Sequence, residues 1–218
     1  MSKVTRIGVT FPPELLKDFD EITTKMGYES RSKAIQDAIA ACSRAGGGRV
    51  LVPAGNFLTG PIHLRSKVNL HVAEGATLRF LTDPSCYLPA VFTRWEGVEG
   101  MNYSPFIYAF DQKDVAVTGA GTLDGQANAE NWWWWNGSPL YGGGREKPNQ
   151  MAARGRLFKM GDADVPVKER TIGEGGYLRP NFVQFYRCQN VLIDGVTVKN
   201  LQSWRRTQLL RFWRFSFI

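Results

Sequence analysis

Two aspartates stand at glycine corners of the sequence, where a carboxylate could serve as a general acid or base. Asp124 lies in the phrase GTLDGQ, and Asp194 lies in the phrase IDGV. One carboxylate that donates a proton and one that accepts it can cleave a bond by acid–base catalysis. Aspartate before glycine is also typical of a tight turn, because both residues favour turn geometry. The sequence favours the turn, and we predict no catalytic residue in this chain.

A block of four tryptophans, Trp132 to Trp135, offers a different chemistry. Aromatic faces can pack on the apolar face of a sugar ring, and arginine can bind a carboxylate through two parallel hydrogen bonds. In an extended chain successive rings face opposite sides, so about half of the block could line one groove. The residues predicted to bind a substrate are Arg94, Trp133, Trp135, Arg154 and Arg179. The alternative, which we favour, is that they pack the long segment 128–178 together.

Cysteine and histidine are too few and too scattered to predict a metal site or a disulfide framework. The three cysteines, Cys42, Cys86 and Cys188, are an odd number and lie far apart in the sequence. The two histidines are His63 and His71, and no CxxC pair accompanies them. A structural zinc site therefore has little support. We predict no metal ligand and no cofactor.

The composition excludes a disordered polymer and argues against a membrane protein. The chain has 218 residues, of which 43% are hydrophobic, an ordinary fraction for a folded protein. No uninterrupted apolar run approaches the roughly 18 residues that a transmembrane helix needs. The N-terminus lacks the hydrophobic core of a signal peptide. We therefore expect a cytoplasmic protein with no membrane partner.

The formal net charge of +7 is unevenly distributed. Residues 1–45 contain seven basic and six acidic residues, a net charge of only +1. Residues 201–218 contain four arginines and no acid, whereas the middle of the chain carries the remaining +2. A basic protein is a candidate for nucleic-acid binding, but the charge must lie on the binding segment. Bulk charge therefore adds little to the case for a DNA partner.

The first 45 residues read as one strand and two short helices. Apolar and polar residues alternate from Arg6 to Phe11, which is the period of a strand, and Pro12-Pro13 ends it. A helical stripe follows, and Ser30 is a plausible N-cap for a second helix. The stripe of that second helix is Ile35, Ala38, Ile39 and Cys42. Elements this short cannot bury a sufficient core alone, so they favour an intertwined dimer.

A dimer of this kind pairs its strands into a ribbon that can enter the major groove of DNA. The predicted DNA contacts are Arg6, Gly8 and Thr10 on the ribbon and Ser30 and Arg31 at the second helix start, where free N–H groups favour phosphate.

The phrases VTRIGVTFPPELLKDFDEI and GYESRSKAI resemble the ribbon-helix-helix domain of nickel-responsive repressors over about 3–39. The resemblance implies a homodimeric DNA-binding regulator. The family's histidine-rich nickel site is absent from this sequence, so nickel sensing is not implied. The alternative is an N-terminal appendage that binds nothing.

From Gly46 onward the sequence consists of short β-type runs between glycine-bearing turns. The phrases DVAVTGAGTLDG and NVLIDGVTVKN are loosely alike, each with alternating apolar residues and a glycine corner. Weak repeats of short strands favour a solenoid of stacked turns, with a β-sandwich as the alternative.

Several longer phrases of this region are similar to glycoside hydrolase family 28, the polygalacturonases, over about 34–200. They include AGGGRVLVPAG, TGPIHLRSKVNLHVAEGATL and RPNFVQFYRCQNVLIDGVTVKN. The resemblance implies a mainly β fold, a right-handed parallel β-helix, and galacturonan as the substrate. It also implies hydrolysis with inversion by two carboxylates.

The catalytic motifs of that family are Asn-Thr-Asp, Asp-Asp, Gly-His-Gly and Arg-Ile-Lys, and none of them occurs in this sequence. In the family they follow the VTVKN region. We therefore expect a truncated, polygalacturonase-like β-helix that is inactive as a hydrolase. A non-catalytic, carbohydrate-binding β-helix is a further alternative, as is the DNA-binding regulator.

The sequence divides into three predicted segments. Residues 1–45 form the ribbon-helix-helix-like segment (β-α-α), and residues 46–200 form the β-helix. Residues 201–218 form a basic aromatic tail, whose composition suggests a shifted reading frame. The two resemblances overlap at 34–39, where one apolar stripe would have to serve two cores. The second helix is expected either to pack in the ribbon-helix-helix dimer or to cap the β-helix. We interpret the chain as a fusion, or chimera, at this shared phrase.

Overall fold

Short strands from Gly48 onward wind into successive turns and stack into three sheets, in which the strands of the coil pair in parallel. The computed structural model describes residues 31–144, 146–202, 209–211 and 215–217. Sheet A contains, in spatial order, β1 (Gly48–Val52), β4 (Val68–Val72), β9 (Lys113–Thr118), β12 (Gln189–Asp194) and β15 (Phe215–Phe217). Sheet B contains β2 (Gly55–Thr59), β5 (Ala76–Phe80), β10 (Thr122–Asp124), β13 (Thr197–Lys199) and β14 (Leu209–Arg211). Sheet C contains β3 (Ile62–His63), β8 (Ile107–Phe110) and β11 (Val183–Tyr186). This confirms the predicted parallel β-helix.

The core follows from the two-residue period of the strands. Alternate residues of β4 are buried, which places Val68, Leu70 and Val72 inside the helix. The parallel register places the apolar side chains of one turn beside those of the next, so that Leu70 lies beside Val50 and Val117. Each turn therefore buries its apolar side chains against the turns on either side.

The two similar phrases of the sequence occupy equivalent places in successive turns. DVAVTGAGTLDG forms most of β9 and all of β10, and NVLIDGVTVKN forms most of β12 and all of β13. The glycine corner is required at Gly119, which has a φ of +111° and whose missing Cβ would lie 2.0 Å from the carbonyl oxygen of Val72. The two similar phrases thus mark the same corner in successive turns of the coil. At this corner the space between turns admits only glycine.

Two long insertions leave the coil at the same corner, between sheet B and sheet C. The first carries an antiparallel hairpin of β6 (Val91–Trp95) and β7 (Val98–Asn102). The second spans 125–182 and contains an α-helix, Gln150–Asp162, labelled α2. Short 3₁₀ helices occur at Pro84–Tyr87, Trp133–Asn136, Pro139–Tyr141 and Val167–Glu169. A second, smaller core joins the hairpin to α2 through Trp95, Ala153, Leu157, Ile172 and Leu178.

A helix, α1 (Arg31–Arg44), covers the first turn of the coil. Ile39 is fully buried in the β-helix core, and Ile35 and Cys42 pack against it. Ala38, predicted on the same stripe, is exposed instead, because the buried face is narrower than the sequence pattern implied. The side chains of Gln36 and Ser43 also hydrogen-bond to carbonyl oxygens of Pro61 and Ser66. The second helix of the N-terminal segment thus caps the β-helix.

Parts of the tail form two short strands that run against the coil. Leu209–Arg211 pairs antiparallel with β13, and Phe215–Phe217 pairs antiparallel with β12. The tail contains none of the glycine corners that punctuate the coil up to Asn200. Antiparallel pairing needs no corner, since the chain reverses instead of continuing the coil. The two strands occupy sheet edges that would otherwise be open.

The remainder of the N-terminal prediction lies outside the described residues, including Arg6, Gly8, Thr10 and Ser30. Arg31 is the first residue of α1. None of the helices in the described part of the chain is long and apolar enough to cross a membrane.

Substitution of Ile39 by alanine tests the cap. We expect Ile39→Ala to lower the free energy of unfolding of the full chain by about 2–5 kcal/mol, because it leaves a cavity in a fully buried site. Urea denaturation followed by circular dichroism measures the change. Leu58→Ala is the matched control, since Leu58 is 46% exposed and should cost roughly 0.5 kcal/mol or less. Equal losses from the two variants would contradict the packing of α1 on the coil.

Candidate functional site

The outer face of sheet C carries a row of polar and aromatic side chains in register. Ile62, Ile107 and Val183 pair across the sheet and point into the core. Their strand neighbours, His63, Tyr108 and Gln184, therefore face outward as a second row. The next outward pair is Phe110 and Tyr186. The coil thus presents an aligned strip of side chains next to the corner where both insertions leave.

The hairpin forms one wall of this strip. Phe92 of β6 packs against the outward rings, with centroids 4.9 Å from Phe110 and 5.5 Å from Tyr186. The hydroxyl of Tyr108 donates a hydrogen bond of 2.5 Å to the carbonyl oxygen of Phe92. The side-chain amides of Asn181 and Gln184 both donate to the carbonyl oxygen of Arg94, at 3.2 Å each. These contacts fix β6 on β11.

Charged groups gather around Tyr186. Its hydroxyl donates a hydrogen bond to Oε1 of Glu99, and this bond, together with partial burial and the negative charge of Glu99, raises the pKa of Tyr186. The positive charges of Arg94 and Arg187 act in the opposite direction on the same pKa. The guanidinium of Arg187 lies over two rings, 5.4 Å from the centroid of Phe92 and 5.7 Å from that of Phe110. The strip therefore joins aromatic surface to two exposed cations.

His63, at the other end of the row, is held by a polar contact. Its Nε2 lies 2.8 Å from Oγ of Ser104, and its ring packs edge-on to Tyr108 at 5.2 Å. Burial lowers the pKa of His63, and the nearby charge of Arg65 lowers it further. The neutral imidazole is favoured, which suits a positioning role more than a charged contact.

The three arginines predicted to bind a substrate make different contacts. Arg94 is exposed, and its Nε donates to the carbonyl oxygen of Gly97 at 3.1 Å. Arg154 forms an ion pair with Glu96 at 2.7 Å and lies over the ring of Phe158. Arg179 is engaged within the protein, because its guanidinium donates to Gln150 and to the carbonyl oxygen of Gln202. Only Arg94 of these three borders the strip described above.

The tryptophan block is helical where the sequence analysis assumed an extended chain. A 3₁₀ turn spans Trp133–Asn136, which brings Trp132 and Trp135 to the same side, where they are 0% and 4% exposed. Trp135 packs on Trp132 and Tyr177 and is therefore not open to a sugar ring. Trp133 and Trp134 are half-buried at the surface. The Nε1 of Trp133 donates to the carbonyl oxygen of Leu201 at 2.8 Å.

The two glycine-corner aspartates sit within the coil. Asp124 is 7% exposed, and its Oδ1 accepts hydrogen bonds from the backbone of Gln126 and from Asn200. Its Oδ2 lies 3.4 Å from Nζ of Lys199, its register neighbour on β13. Asp194 ends β12 and is half-buried. The contacts of Asp124 stabilise the corner, as the turn interpretation predicts.

No group of three or more histidine, cysteine, aspartate or glutamate side chains lies within metal-binding reach of one another in the residues that the structure describes. The arrangement on sheet C is suited to binding through ring faces, amides and guanidinium groups. Phe92, Tyr186 and Arg187 are not among the residues predicted from the sequence. Alternation within FVQFYRC could have placed Gln184 and Tyr186 on one outward face, but nothing in the sequence indicates that the hairpin packs there.

Comparisons with known proteins cover most of the chain. No protein-family model matches the sequence. The exo-poly-alpha-D-galacturonosidase of Dickeya chrysanthemi is 32% identical over 190 residues, which is 80% of this chain and 30% of that protein. The crystal structure of a hyperthermoactive exopolygalacturonase from Thermotoga maritima matches with 50% identity and a TM-score of 0.77, over 79% of this chain and 38% of that one. The chain spans about a third of the length of the curated polygalacturonase relatives it matches.

A short match of another kind lies at the N-terminus. A Methanocaldococcus jannaschii protein described as a nickel-responsive regulator is 51% identical over 39 residues, or 18% of this chain and 28% of that protein. About four-fifths of this chain is therefore similar in sequence and fold to a part of the family 28 polygalacturonases, and a short N-terminal segment is similar to nickel-responsive regulators.

Proposed function

We propose that this chain is a polygalacturonase-like β-helix that binds galacturonan and does not hydrolyse it. The observation that carries the proposal is the 50% identity and the shared fold with the exopolygalacturonase of Thermotoga maritima. The strip on sheet C, with its rings, amides and two exposed arginines, supports a polymer of acidic sugars as the ligand.

The proposed lack of turnover rests on the catalytic motifs of family 28, none of which occurs in these 218 residues. Inverting hydrolysis needs an acid and a base on opposite sides of the scissile bond, about 6.5–9.5 Å apart. Asp124 is nearly buried and is bound by Lys199 and Asn200, so it cannot reach a glycosidic oxygen. Glu99 of the strip accepts a hydrogen bond from Tyr186.

The first test measures binding and turnover with the full 218-residue chain and polygalacturonate. We expect retarded migration of the chain in a native gel that contains polygalacturonate, and no release of reducing ends above the rate of buffer. An active polygalacturonase in the same polymer batch is the positive control for turnover. Unchanged migration would overturn the proposed binding, whereas steady release of reducing ends would overturn the absence of hydrolysis.

A second candidate function is DNA binding by dimers of the N-terminal segment. It is favoured by the regulator matches, which are 51–55% identical over 37–39 residues. The β-strand alternation around Arg6, Gly8 and Thr10 supports a ribbon that contacts base edges, with Ser30 and Arg31 near a phosphate. The proposal includes no nickel response, since the sequence holds only two histidines.

A gel-shift titration tests this second function. We expect the full chain to shift a duplex selected from random sequence, and Arg6→Ala to weaken that shift by about tenfold, since a direct base contact contributes about 1–3 kcal/mol. Lys3→Ala is the matched control, because it removes an equal charge three residues before the predicted strand begins at Arg6. Equal effects of the two substitutions, together with a shift that salt abolishes for every duplex, would indicate phosphate contacts alone.

A further inference from the structure

We infer that α1 exchanges between two partners, so that its position on the coil holds back DNA binding by the N-terminal segment. The inference rests on the second candidate function, DNA binding by dimers, and it adds how that function is regulated. In the capped state, which this structure shows, α1 covers the first turn of the coil. In the released state α1 completes the core of a ribbon-helix-helix dimer. Both states need the same face of the helix.

Helix α1 has one face of large apolar side chains, and the coil buries it. Ile39 is 0% exposed within the β-helix core, and Ile35 and Cys42 pack against that core. The solvent side of α1 carries an ion pair of 3.1 Å between Lys33 and Asp37, whose side chains are 49% and 44% exposed. A helix with a single apolar stripe can bury that stripe against only one partner at a time.

A dimer of the N-terminal segment cannot do without that face. The segment offers one strand and two short helices, and the large side chains of its second helix are Ile35, Ile39 and Cys42. Elements this short need every apolar stripe they have in order to bury a core. The dimer therefore forms only from chains whose α1 has left the coil. The apparent affinity for DNA falls by the fraction of chains that are in the capped state.

The structure provides a joint at which α1 can leave. Three successive glycines, Gly46, Gly47 and Gly48, connect α1 to the coil, with φ angles of +99°, +106° and +147°. Glycine accepts a wide range of backbone angles, so this connection can redirect the helix without moving β1.

Two side-chain hydrogen bonds hold α1 in the capped state in addition to its apolar face. Nε2 of Gln36 donates to the carbonyl oxygen of Pro61 at 2.9 Å, and Oγ of Ser43 donates to that of Ser66 at 3.2 Å. Both donors lie outside the stripe of Ile35, Ala38, Ile39 and Cys42. Their removal therefore weakens the cap and leaves the stripe intact for the dimer.

The first experiment is a gel-shift titration of the full chain with the selected duplex. We expect Gln36→Ala and Ser43→Ala each to tighten DNA binding by roughly two- to tenfold, because each removes a hydrogen bond that the released state does not use. Ala41→Ser is the matched control on the same helix, since Ala41 is exposed and should leave the affinity unchanged. Circular dichroism verifies that the coil of each variant is intact.

The second experiment locks the joint with a disulfide. A Cβ built on Gly48 lies 3.4 Å from Sγ of Cys42, which is close enough for a Gly48→Cys side chain to bond with that sulfur. The exposed Cys86 is replaced by serine in the same chain. We expect the oxidised form to bind DNA at least about tenfold more weakly than the reduced form, since the lock keeps α1 on the coil. Any strain from the substitution is present in both forms.

The outcomes separate the exchange from the function on which it rests. Equal DNA affinity of the oxidised and reduced forms would overturn the exchange, as would wild-type affinity in both Gln36→Ala and Ser43→Ala. Failure of every form to shift any duplex, including the reduced chain and the two weakened caps, would instead overturn the proposed DNA binding.

Discussion

Stacking of like side chains from one turn to the next is the interaction on which this structure depends. A single turn of three short strands has no interior of its own, because its apolar side chains are covered only by the turns before and after it. Val50, Leu70 and Val117 illustrate this, since each is buried by its register neighbour on the adjacent strand. The same dependence leaves the outer side of the first turn to be covered by something other than a further turn, and helix α1 covers it. Strands β14 and β15 pair antiparallel with β13 and β12.

The position of the candidate site follows from the same coil. Sheets A and B are joined by a tight corner, at which Gly119 admits no side chain, so nothing large can be inserted there. The corner from sheet B to sheet C is free of that restriction and carries both the hairpin and the segment with α2. Because both insertions return to sheet C, the hairpin of the first insertion places Phe92 and Arg94 beside β11, which ends at Tyr186 and is followed by Arg187. Side chains far apart in the sequence thus meet on one outward strip.

The sequence predicted the coil well and its insertions poorly, for a physical reason. Repetition of alternating apolar residues and glycine corners is local, so the likeness of two short phrases was enough to indicate stacked turns. The hairpin folds onto sheet C through contacts between Phe92 and residues 16 or more positions away, and no periodicity records such a contact. The tryptophan block was misjudged because side-chain direction depends on local geometry. A 3₁₀ turn repeats every three residues, whereas an extended chain repeats every two. Helix α1 was predicted correctly, since its stripe is local, but its buried face was narrower than the pattern.

The shared exit point of the two insertions has a consequence for how such a molecule can change. The ladder of parallel strands holds the two ends of each insertion at a fixed separation, whatever lies between them. Lengthening a loop between fixed ends raises the entropic cost of closing it only slightly, by about 0.6 kcal/mol of free energy for each doubling of its length. Loops at this corner can therefore lengthen, shorten or exchange their contents while the stacked interior is left undisturbed. The candidate site can therefore change in sequence faster than the coil that carries it.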